Sequence, residues 1–131
     1  MTTIVVDASA LVEFLFRTEL GYSIEATITD SSSDLHVPSL CDVEVTSALR
    51  RGLLRGFLTE RRAREALSDY LDLPLIRHGH QGILPRVLQV YETISTYDAT
   101  YVALAEGLEA PLLTADKRLA RGARALGVPC L

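Results

Sequence analysis

The segment TTIVVDASALVEFLF, residues 2–16, sets the fold class of this 131-residue chain. Its β-branched apolar run ends at a carboxylate, Asp7, and a second apolar stretch begins almost at once. A short strand that is apolar on both faces is typical of a parallel strand covered by helices. The segment therefore predicts a strand over residues 3–6, a helix over residues 9–16, and an acidic side chain at the carboxyl end of the strand.

The rest of the chain alternates between short apolar runs and longer segments with helical spacing. Ser39, Thr59 and Asp116 mark helix starts, since these residue types cap helices, and Gly56 marks a helix end. This alternation predicts an α/β domain with a mostly parallel sheet. The predicted strands are 3–6, 35–37, 75–76, 111–114 and 128–131, and the predicted helices are 9–16, 22–29, 39–55, 59–71, 85–94, 98–107 and 116–126.

Length and composition favour a single domain over residues 1–131. Hydrophobic residues make up 48% of the chain and no tract is of low complexity, so a core can form. The apolar runs stay well below the ~20 residues of a membrane-spanning helix, and no signal-peptide pattern is present. These features predict a cytoplasmic protein without a membrane segment. Cys41 and Cys130 lack zinc-ligand or redox spacing, which predicts two free thiols.

The basic residues are concentrated in two stretches, although the net charge is −4. Taken singly, each arginine is explained by a solvent-facing helix surface. Taken together, two basic stretches in an acidic protein also fit phosphate contacts around an acidic centre. The stretches hold ten of the 13 basic residues, namely Arg50, Arg51, Arg55, Arg61, Arg62 and Arg64, and then Lys117, Arg118, Arg121 and Arg124.

Three aspartates follow predicted strands or open predicted helices. Asp7 ends the first strand, Asp116 lies shortly after Leu113 of the fourth, and Asp98 follows a polar break. Ligands of open parallel sheets bind beyond the carboxyl ends of the strands, which makes these positions candidates for a site. Aspartate is also a favoured helix N-cap, and capping alone explains each of the three.

Glu44 has no such simple explanation. Its neighbours one helical turn away, Leu40, Cys41, Ser47 and Ala48, are small or apolar, so Glu44 points along the less polar face of its helix. Glutamate is rarely buried without a partner. Either an arginine from another helix pairs with Glu44, or Glu44 belongs to a site.

If these four carboxylates converge, they form a site that attracts a cation. Two carboxylates about 4 Å apart repel by roughly 4 kcal/mol at an effective dielectric constant near 20. Such a cluster takes up protons or binds a metal ion. Oxygen-only ligands favour Mg²⁺ or Mn²⁺ over zinc. A metal ion held in this way can activate water and polarise a phosphate, which is the chemistry of phosphodiester hydrolysis.

Four motifs occur in an order and spacing that resemble one protein family. They are VVDASALVEF near the N-terminus, DVEVTSAL in the third predicted helix, and then YDATYVALA and LLTADKRLA. In these motifs the chain is similar to PIN-domain ribonucleases, and within them to the VapC-type toxins of bacterial toxin–antitoxin pairs. The resemblance covers essentially the whole chain.

The resemblance implies a three-layer α/β/α sandwich and metal-dependent cleavage of RNA. It implies an acidic Mg²⁺ or Mn²⁺ site, with Ser9 and Thr114 as supporting hydroxyls unless they only cap helices. It also implies a homodimer and a small antitoxin whose C-terminal tail covers the site. The candidate RNA contacts are Arg50, Arg51, Lys117 and Arg118. The site acids are Asp7, Glu44, Asp98 and Asp116, of which Asp7 and Asp98 are the most direct metal ligands.

Two further sets of side chains have alternative roles. Tyr97 and Tyr101 lie on either side of Asp98, where they stack a base or, more simply, pack against a neighbouring helix. His78 and His80 lie in a stretch rich in Pro and Gly, where they bind a metal or, more simply, belong to a loop.

Two functions of other classes fit parts of the pattern. A Mg²⁺-dependent phosphatase of the haloacid-dehalogenase kind uses Asp-x-Asp after its first strand, whereas this chain has Asp7-Ala8-Ser9 and lacks the second carboxylate. A non-catalytic interaction module would use the acids as caps and ion pairs, and Glu44 on its semi-apolar face counts against it. Hydrolysis of phosphomonoesters favours the first alternative, and the absence of Mn²⁺ binding favours the second.

Overall fold

Four parallel strands form the central sheet of the computed structural model, which describes all 131 residues, Met1–Leu131. β1 (Thr2–Val6) pairs with β2 (Ser33–Pro38) on one side and β4 (Leu112–Leu113) on the other. β3 (Leu75–His78) lies beyond β2 at the edge, so the strand order is β3-β2-β1-β4. The predicted parallel sheet is confirmed.

Seven α-helices connect the strands and cover the sheet. They are α1 (Ala8–Phe16), α2 (Glu19–Ile28), α3 (Leu40–Leu54), α4 (Glu60–Asp72), α5 (Leu84–Gln89), α6 (Thr96–Leu108) and α7 (Lys117–Ala125), with a short 3-10 helix, Gln81–Ile83, before α5. The chain steps from β1 to β3 in one direction and then returns past β1 to β4. Because such crossovers are right-handed, α1 to α4 and α5 to α6 cover opposite faces. The three-layer α/β/α sandwich is confirmed.

The core explains why β1 reads as a continuous apolar run. Ile4, Val5 and Val6 are 3%, 0% and 0% exposed, because a central strand between two helical layers is buried on both faces. The strand order reverses at β1, whose neighbours β2 and β4 are reached from opposite faces. A crevice therefore opens beyond the carboxyl ends of β1 and β4, the usual ligand position in this architecture.

The segment before α6 differs from the prediction. The helix predicted over residues 85–94 ends at Gln89, and α6 begins at Thr96 rather than at Asp98. Ser95 is the N-cap of α6, with φ −63° and ψ 158°. Its hydroxyl accepts a hydrogen bond from the Asp98 amide at 3.2 Å. An extended Ser95 cannot continue a helix, so residues 90–94 form turns. Asp98 thus lies inside the first turn of α6 and does not cap it.

The start of α3 also differs from the prediction. The Ser39 side chain does not cap the helix and instead donates to the His78 carbonyl at 3.1 Å. The Leu40 amide donates to His80 Nε2 at 3.0 Å, so a histidine from a distant loop satisfies this helix end. His78 ends β3, and its Nε2 lies 2.8 Å from Nδ1 of His36 on β2. Both histidines of the Pro/Gly-rich stretch therefore have structural contacts.

The C-terminal segment makes only one bridge to the sheet. The strand predicted over residues 128–131 is reduced to a bridge between Leu112 and Cys130, because the rest of the segment is irregular. Cys41 and Cys130 are free, as predicted. Burial raises the pKa of the Cys41 thiol to about 11. None of the helices combines the length and apolar character needed to cross a bilayer.

Candidate active site

All four predicted acids line one cleft of about 320 Å³ at the crevice beyond β1 and β4. Asp7 follows β1, Asp116 follows β4, Glu44 comes from α3 and Asp98 from α6. The cleft therefore collects carboxylates from both helical layers and from two strand ends. This convergence could not be read from the spacing of the acids in the sequence.

Asp7 is held by two hydroxyl groups. Ser9 Oγ and Thr114 Oγ1 donate to the same oxygen, Asp7 Oδ2, at 2.5 and 2.6 Å. Each hydroxyl oxygen in turn accepts a hydrogen bond from a backbone amide of the loop after β4. The Ala115 amide donates to Ser9 Oγ and the Asp116 amide donates to Thr114 Oγ1, both at 3.0 Å. The second carboxylate oxygen of Asp7, Oδ1, accepts no side-chain hydrogen bond. The two hydroxyls thus fix Asp7 Oδ2, and the Ser9 amide also stabilises the ionised carboxylate.

Burial determines the ionisation of Asp7. The residue is 7% exposed, and burial raises its pKa above the usual value, while the bonds from Ser9 and Thr114 lower it and repulsion from Asp116 raises it further. Asp7 occupies the N-cap position of α1, but its side chain makes no capping hydrogen bond. The hydrogen bonds from Ser9 and Thr114, rather than capping alone, therefore account for the position of the Asp7 side chain.

Glu44 has a partner, but the partner is not an arginine. The hydroxyl of Tyr101, which is 1% exposed, donates to Glu44 Oε1 at 2.6 Å. Burial raises the pKa of Glu44, the Tyr101 bond lowers it, and repulsion from Asp7 and Asp98 raises it, with a lowering contribution from Arg51. The bond satisfies one oxygen of Glu44 without neutralising its charge.

Asp98 and Asp116 complete the cleft in different ways. Burial raises the pKa of Asp98, repulsion from Asp116 and Asp7 adds to this, and the Arg118 guanidinium lowers it. Asp116 caps α7, because its Oδ1 accepts the amides of Arg118 and Leu119 at 2.9 and 3.3 Å. Asp116 thus has the capping role and a place in the cleft at the same time.

The predicted RNA contacts are spread over several surfaces. Arg51 is the one cation that lines the cleft, and its Nη1 donates to Ser47 Oγ at 3.1 Å. Arg50 lies on an outward face of α3, and Lys117 and Arg118 are exposed on α7. Three arginines of the first basic stretch have structural contacts, with Arg61 bonded to Glu65, Arg64 to Glu60, and Arg62 to the Leu15 carbonyl.

Two residues that contact or line the site, Tyr101 and Glu13, were not predicted as site residues from the sequence. Tyr101 packs as predicted, but its bond to Glu44 was not foreseen. Tyr97, also expected to pack, is 64% exposed. Glu13 lines the cleft from α1, one helical turn after Ser9, and accepts a hydrogen bond from the Thr18 hydroxyl. The spacing of Ser9 and Glu13 on one helix face is the signal that would have indicated Glu13.

The donor set fits a hard metal ion. All candidate ligands are carboxylate oxygens, and burial together with mutual repulsion raises the pKa of Asp7, Glu44 and Asp98. No three His, Cys, Asp or Glu side chains lie close enough together to hold an ion directly. Mg²⁺ commonly binds through one or two carboxylates and retains several waters, so this looser arrangement suits it.

A larger groove elsewhere lacks this chemistry. It has about 450 Å³ and lies among α1, α2 and α4, where Glu25, Asp69 and Asp72 line it. These three carboxylates are on exposed helix surfaces, whereas Asp7 is buried. Burial and convergence, rather than volume, therefore identify the cleft as the candidate active site.

The fold and the cleft define an α/β protein with a carboxylate centre at the reversal point of a parallel sheet. The sequence model of the PIN domain matches residues 4–125. Ribonuclease VapC12 of Mycobacterium tuberculosis is 36% identical to this chain over 118 residues, which are 90% of each protein. The chain belongs to the PIN-domain family, and the resemblance seen in its motifs is confirmed.

Solved structures share the fold at low sequence identity. Mycobacterium tuberculosis VapC20, described as a Sarcin-Ricin loop cleaving toxin, aligns with a TM-score of 0.71 at 14% identity and covers 98% of both chains. VapBC2 from Rickettsia felis, solved with a DNA fragment from its promoter, aligns with a TM-score of 0.63 at 12% identity and covers 92% of both chains. Similarity at this level supports the architecture.

Proposed function

We propose that the protein is a metal-dependent endoribonuclease that acts as the toxin of a toxin–antitoxin pair. The observation that carries the proposal is the convergence of Asp7, Glu44, Asp98 and Asp116 on one cleft in a PIN-domain chain. The full-length similarity to a protein named as a VapC ribonuclease supports RNA as the substrate.

The proposed metal ion is Mg²⁺ or Mn²⁺. Asp7 and Asp98 would hold it most directly, and Glu44 and Asp116 would complete the site directly or through water. When bound, such an ion supplies a Lewis acid for the phosphate and an acidified water. Hydrolysis at this site would break the bond between phosphorus and the 3′ oxygen, with one water proton passing to that oxygen, and would leave 5′-phosphate and 3′-hydroxyl ends.

The chain's own residues hold this geometry. Ser9 and Thr114 keep Asp7 Oδ2 in place, and Tyr101, from the opposite helical layer, keeps Glu44 Oε1 in place, so both carboxylates stay oriented toward the cleft. Arg51, inside the cleft, and Arg50, Lys117 and Arg118, outside it, would contact the RNA backbone.

The proposed partners follow from the charge of the cleft and from the family. A small antitoxin would place a basic side chain of its C-terminal tail among the carboxylates, where the cation would otherwise bind. A homodimer and a cytoplasmic location belong to the same proposal.

Substitution of Asp7 by Asn tests the site. Asp7→Asn keeps the shape of the side chain and removes its charge, so we expect cleavage of RNA in Mg²⁺ to fall by at least about 1000-fold while the protein stays folded. Gel assays with single-stranded RNA measure cleavage, and circular dichroism measures folding. Asp30→Asn is the matched control, because Asp30 is exposed and bonds only within its own turn, and its variant should cut like the parent.

Two results would contradict the proposal. Cleavage by Asp7→Asn at the parent rate would show that the site is elsewhere. A parent protein that hydrolyses phosphomonoesters but not RNA would point to a phosphatase, and one that binds no Mn²⁺ in calorimetry would point to a non-catalytic module.

A further inference from the structure

A second groove adjoins the acidic cleft and shares Asp98 with it. It has about 530 Å³ and lies between α7 and the segment of residues 91–95 that precedes α6. Arg118 and Arg121 line it from α7, and Tyr91 lines it from the segment. A polymer bound in the cleft beside Asp98 can therefore continue into this groove.

The cations of α7 are free to bind an anion. The protein's four ion pairs involve other arginines, and none of the four α7 cations hydrogen-bonds a protein group through its side chain. Arg118 and Arg121 are three residues apart, so they lie on the same side of the helix, along the groove. The Arg118 guanidinium also lowers the pKa of Asp98, which places it electrostatically at the junction with the cleft.

The floor of the groove is fixed by close packing. A Cβ added to Gly122 of α7 would lie 2.3 Å from Ile94 Cγ2, so only glycine permits this approach of the helix to the segment. The two walls are thus held together at Gly122, and the cations on one wall keep their position relative to the other wall.

Tyr91 supplies an exposed aromatic ring on the second wall. The ring is 71% exposed, and its hydroxyl donates to the exposed Glu92 at 2.9 Å. Most of the ring is therefore not used in the protein's own packing. Exposed aromatic rings next to cationic grooves are the usual platforms for bases of single-stranded nucleic acid.

We propose that this groove binds the single-stranded RNA flanking the scissile phosphate, with Arg118 and Arg121 on its phosphates and Tyr91 stacked on a base. The inference rests on the proposed nuclease function. The groove on the other side of α7, which includes Lys117 and Arg124 and shares Arg121, suits a strand less well, because it has no aromatic ring. Asp116, its link to the cleft, is already bonded by amides of α7.

Binding of RNA without cleavage tests the groove. Fluorescence anisotropy of the full chain with a single-stranded RNA of about ten nucleotides, in EDTA, measures affinity at several salt concentrations. Arg118→Ala and Arg121→Ala should each weaken binding about 3- to 10-fold and reduce the slope of log affinity against log salt by about 0.7. Tyr91→Ala should weaken binding at least about fivefold, and Tyr91→Phe should bind like the parent.

Arg124→Ala is the matched control, since it removes an equally exposed cation of α7 outside the groove. Equal losses for Arg124→Ala and Arg118→Ala would overturn the proposal in favour of a diffuse basic field, because Arg118 lines only the proposed groove. A Tyr91→Ala variant that changes the sedimentation coefficient but binds RNA like the parent would also overturn it, because the groove would then be an interface between copies.

The groove and the nuclease function can fail separately. If the parent cleaves RNA in Mg²⁺ but the groove variants bind RNA like the parent, the groove proposal is wrong and the nuclease proposal stands. If the groove variants lose binding but the parent cuts no RNA, the groove is supported and the nuclease proposal is wrong.

Discussion

Helix α3 carries two carboxylates, each bonded by a buried tyrosine, and the two pairs differ in what else they contact. Asp42 and Glu44 are two residues apart, so they point to nearly opposite sides of the helix. On the outer side, Tyr70 donates to Asp42 Oδ1 at 2.6 Å, and Arg77 Nε lies 2.9 Å from the same oxygen. The outer pair is thus neutralised by a cation.

The cleft side has the same tyrosine–carboxylate bond without the cation. Tyr101 donates to Glu44 at 2.6 Å, and Glu44 makes no ion pair. Its charged neighbours include Asp7 and Asp98, whose repulsion raises its pKa. A tyrosine hydroxyl satisfies one oxygen of a half-buried carboxylate but leaves its charge in place. Arg51 lines the cleft and lowers the pKa of Glu44 but makes no ion pair with it. The comparison teaches that the absence of an ion pair, rather than the acid or its tyrosine, distinguishes a site carboxylate from a structural one.

Replacing each α3 carboxylate by its amide should give the largest difference between Glu44 and Asp42. Glu44→Gln should lower RNA cleavage in Mg²⁺ by at least about 100-fold, because it removes a charge from the proposed metal site. Its thermal stability at neutral pH should equal or exceed that of the parent, because the charge it removes is disfavoured by burial.

Asp42→Asn is the matched control for this change. It should cut RNA at close to the parent rate but unfold more easily, by about 1 kcal/mol, since Arg77 and Tyr70 lose their charged acceptor and the pair is partly exposed. Cleavage assays and urea denaturation of both variants measure these effects. A similar loss of cleavage in both variants would remove the distinction between the two sides of α3.

Removing the hydroxyl of Tyr70 or of Tyr101 should have a smaller effect than the amide substitutions, and it should distinguish the two tyrosines. Tyr70→Phe and Tyr101→Phe keep the buried rings, and each should lower the free energy of unfolding by about 1–2 kcal/mol. Only Tyr101→Phe should also weaken Mn²⁺ binding, by roughly fivefold, because it frees a proposed ligand to move. Isothermal calorimetry measures the affinity. Equal Mn²⁺ affinities for the two variants would show that Tyr101 is structural, like Tyr70.

The fold was largely predictable because its signals are local. The run that became β1 is apolar on both faces, and the cap side chains of Thr59 and Asp116 accept hydrogen bonds from amides within three residues. The failures depended on distant partners. His80 replaces Ser39 at the start of α3 from 40 residues away, and no local pattern indicates that exchange.

The candidate site was predictable to the level of its acids but not of their partners. Asp7 and Asp116 were found from their positions after strands, and Glu44 from its helix face. The bond between Glu44 and Tyr101 spans 57 residues and exists only because α3 and α6 approach from opposite layers of the sheet. For Asp98 the sequence leaves both a helix cap and a site acid open, and the structure separates the two because Ser95, not Asp98, is the N-cap of α6.

The pH dependence of stability should show the smallest difference between the Glu44 and Asp42 sides of α3. The pKa values of Asp7, Glu44 and Asp98 are raised on folding, so the stability that these groups contribute is complete below their unfolded values, near 4. That contribution is lost as pH rises through the higher folded values. Without divalent cations, these three groups should therefore lower the melting temperature as pH rises from about 4 toward neutrality.

The variants on the two sides of α3 should respond differently to this change of pH. Glu44→Gln should flatten the dependence, and added Mg²⁺ should restore the parent at pH 7, because the cation offsets the carboxylate repulsion. Asp42→Asn should keep the parent's dependence, since Asp42 already has Arg77 beside it. Differential scanning calorimetry with and without EDTA measures both. Because burial and His78 lower the pKa of His36, that residue makes stability rise over the same pH range, so the decisive quantity is the difference between the parent and Glu44→Gln. Equal pH dependences of the two without divalent cations would mean that Glu44 is already compensated within the chain, and the contrast with Asp42 would not hold.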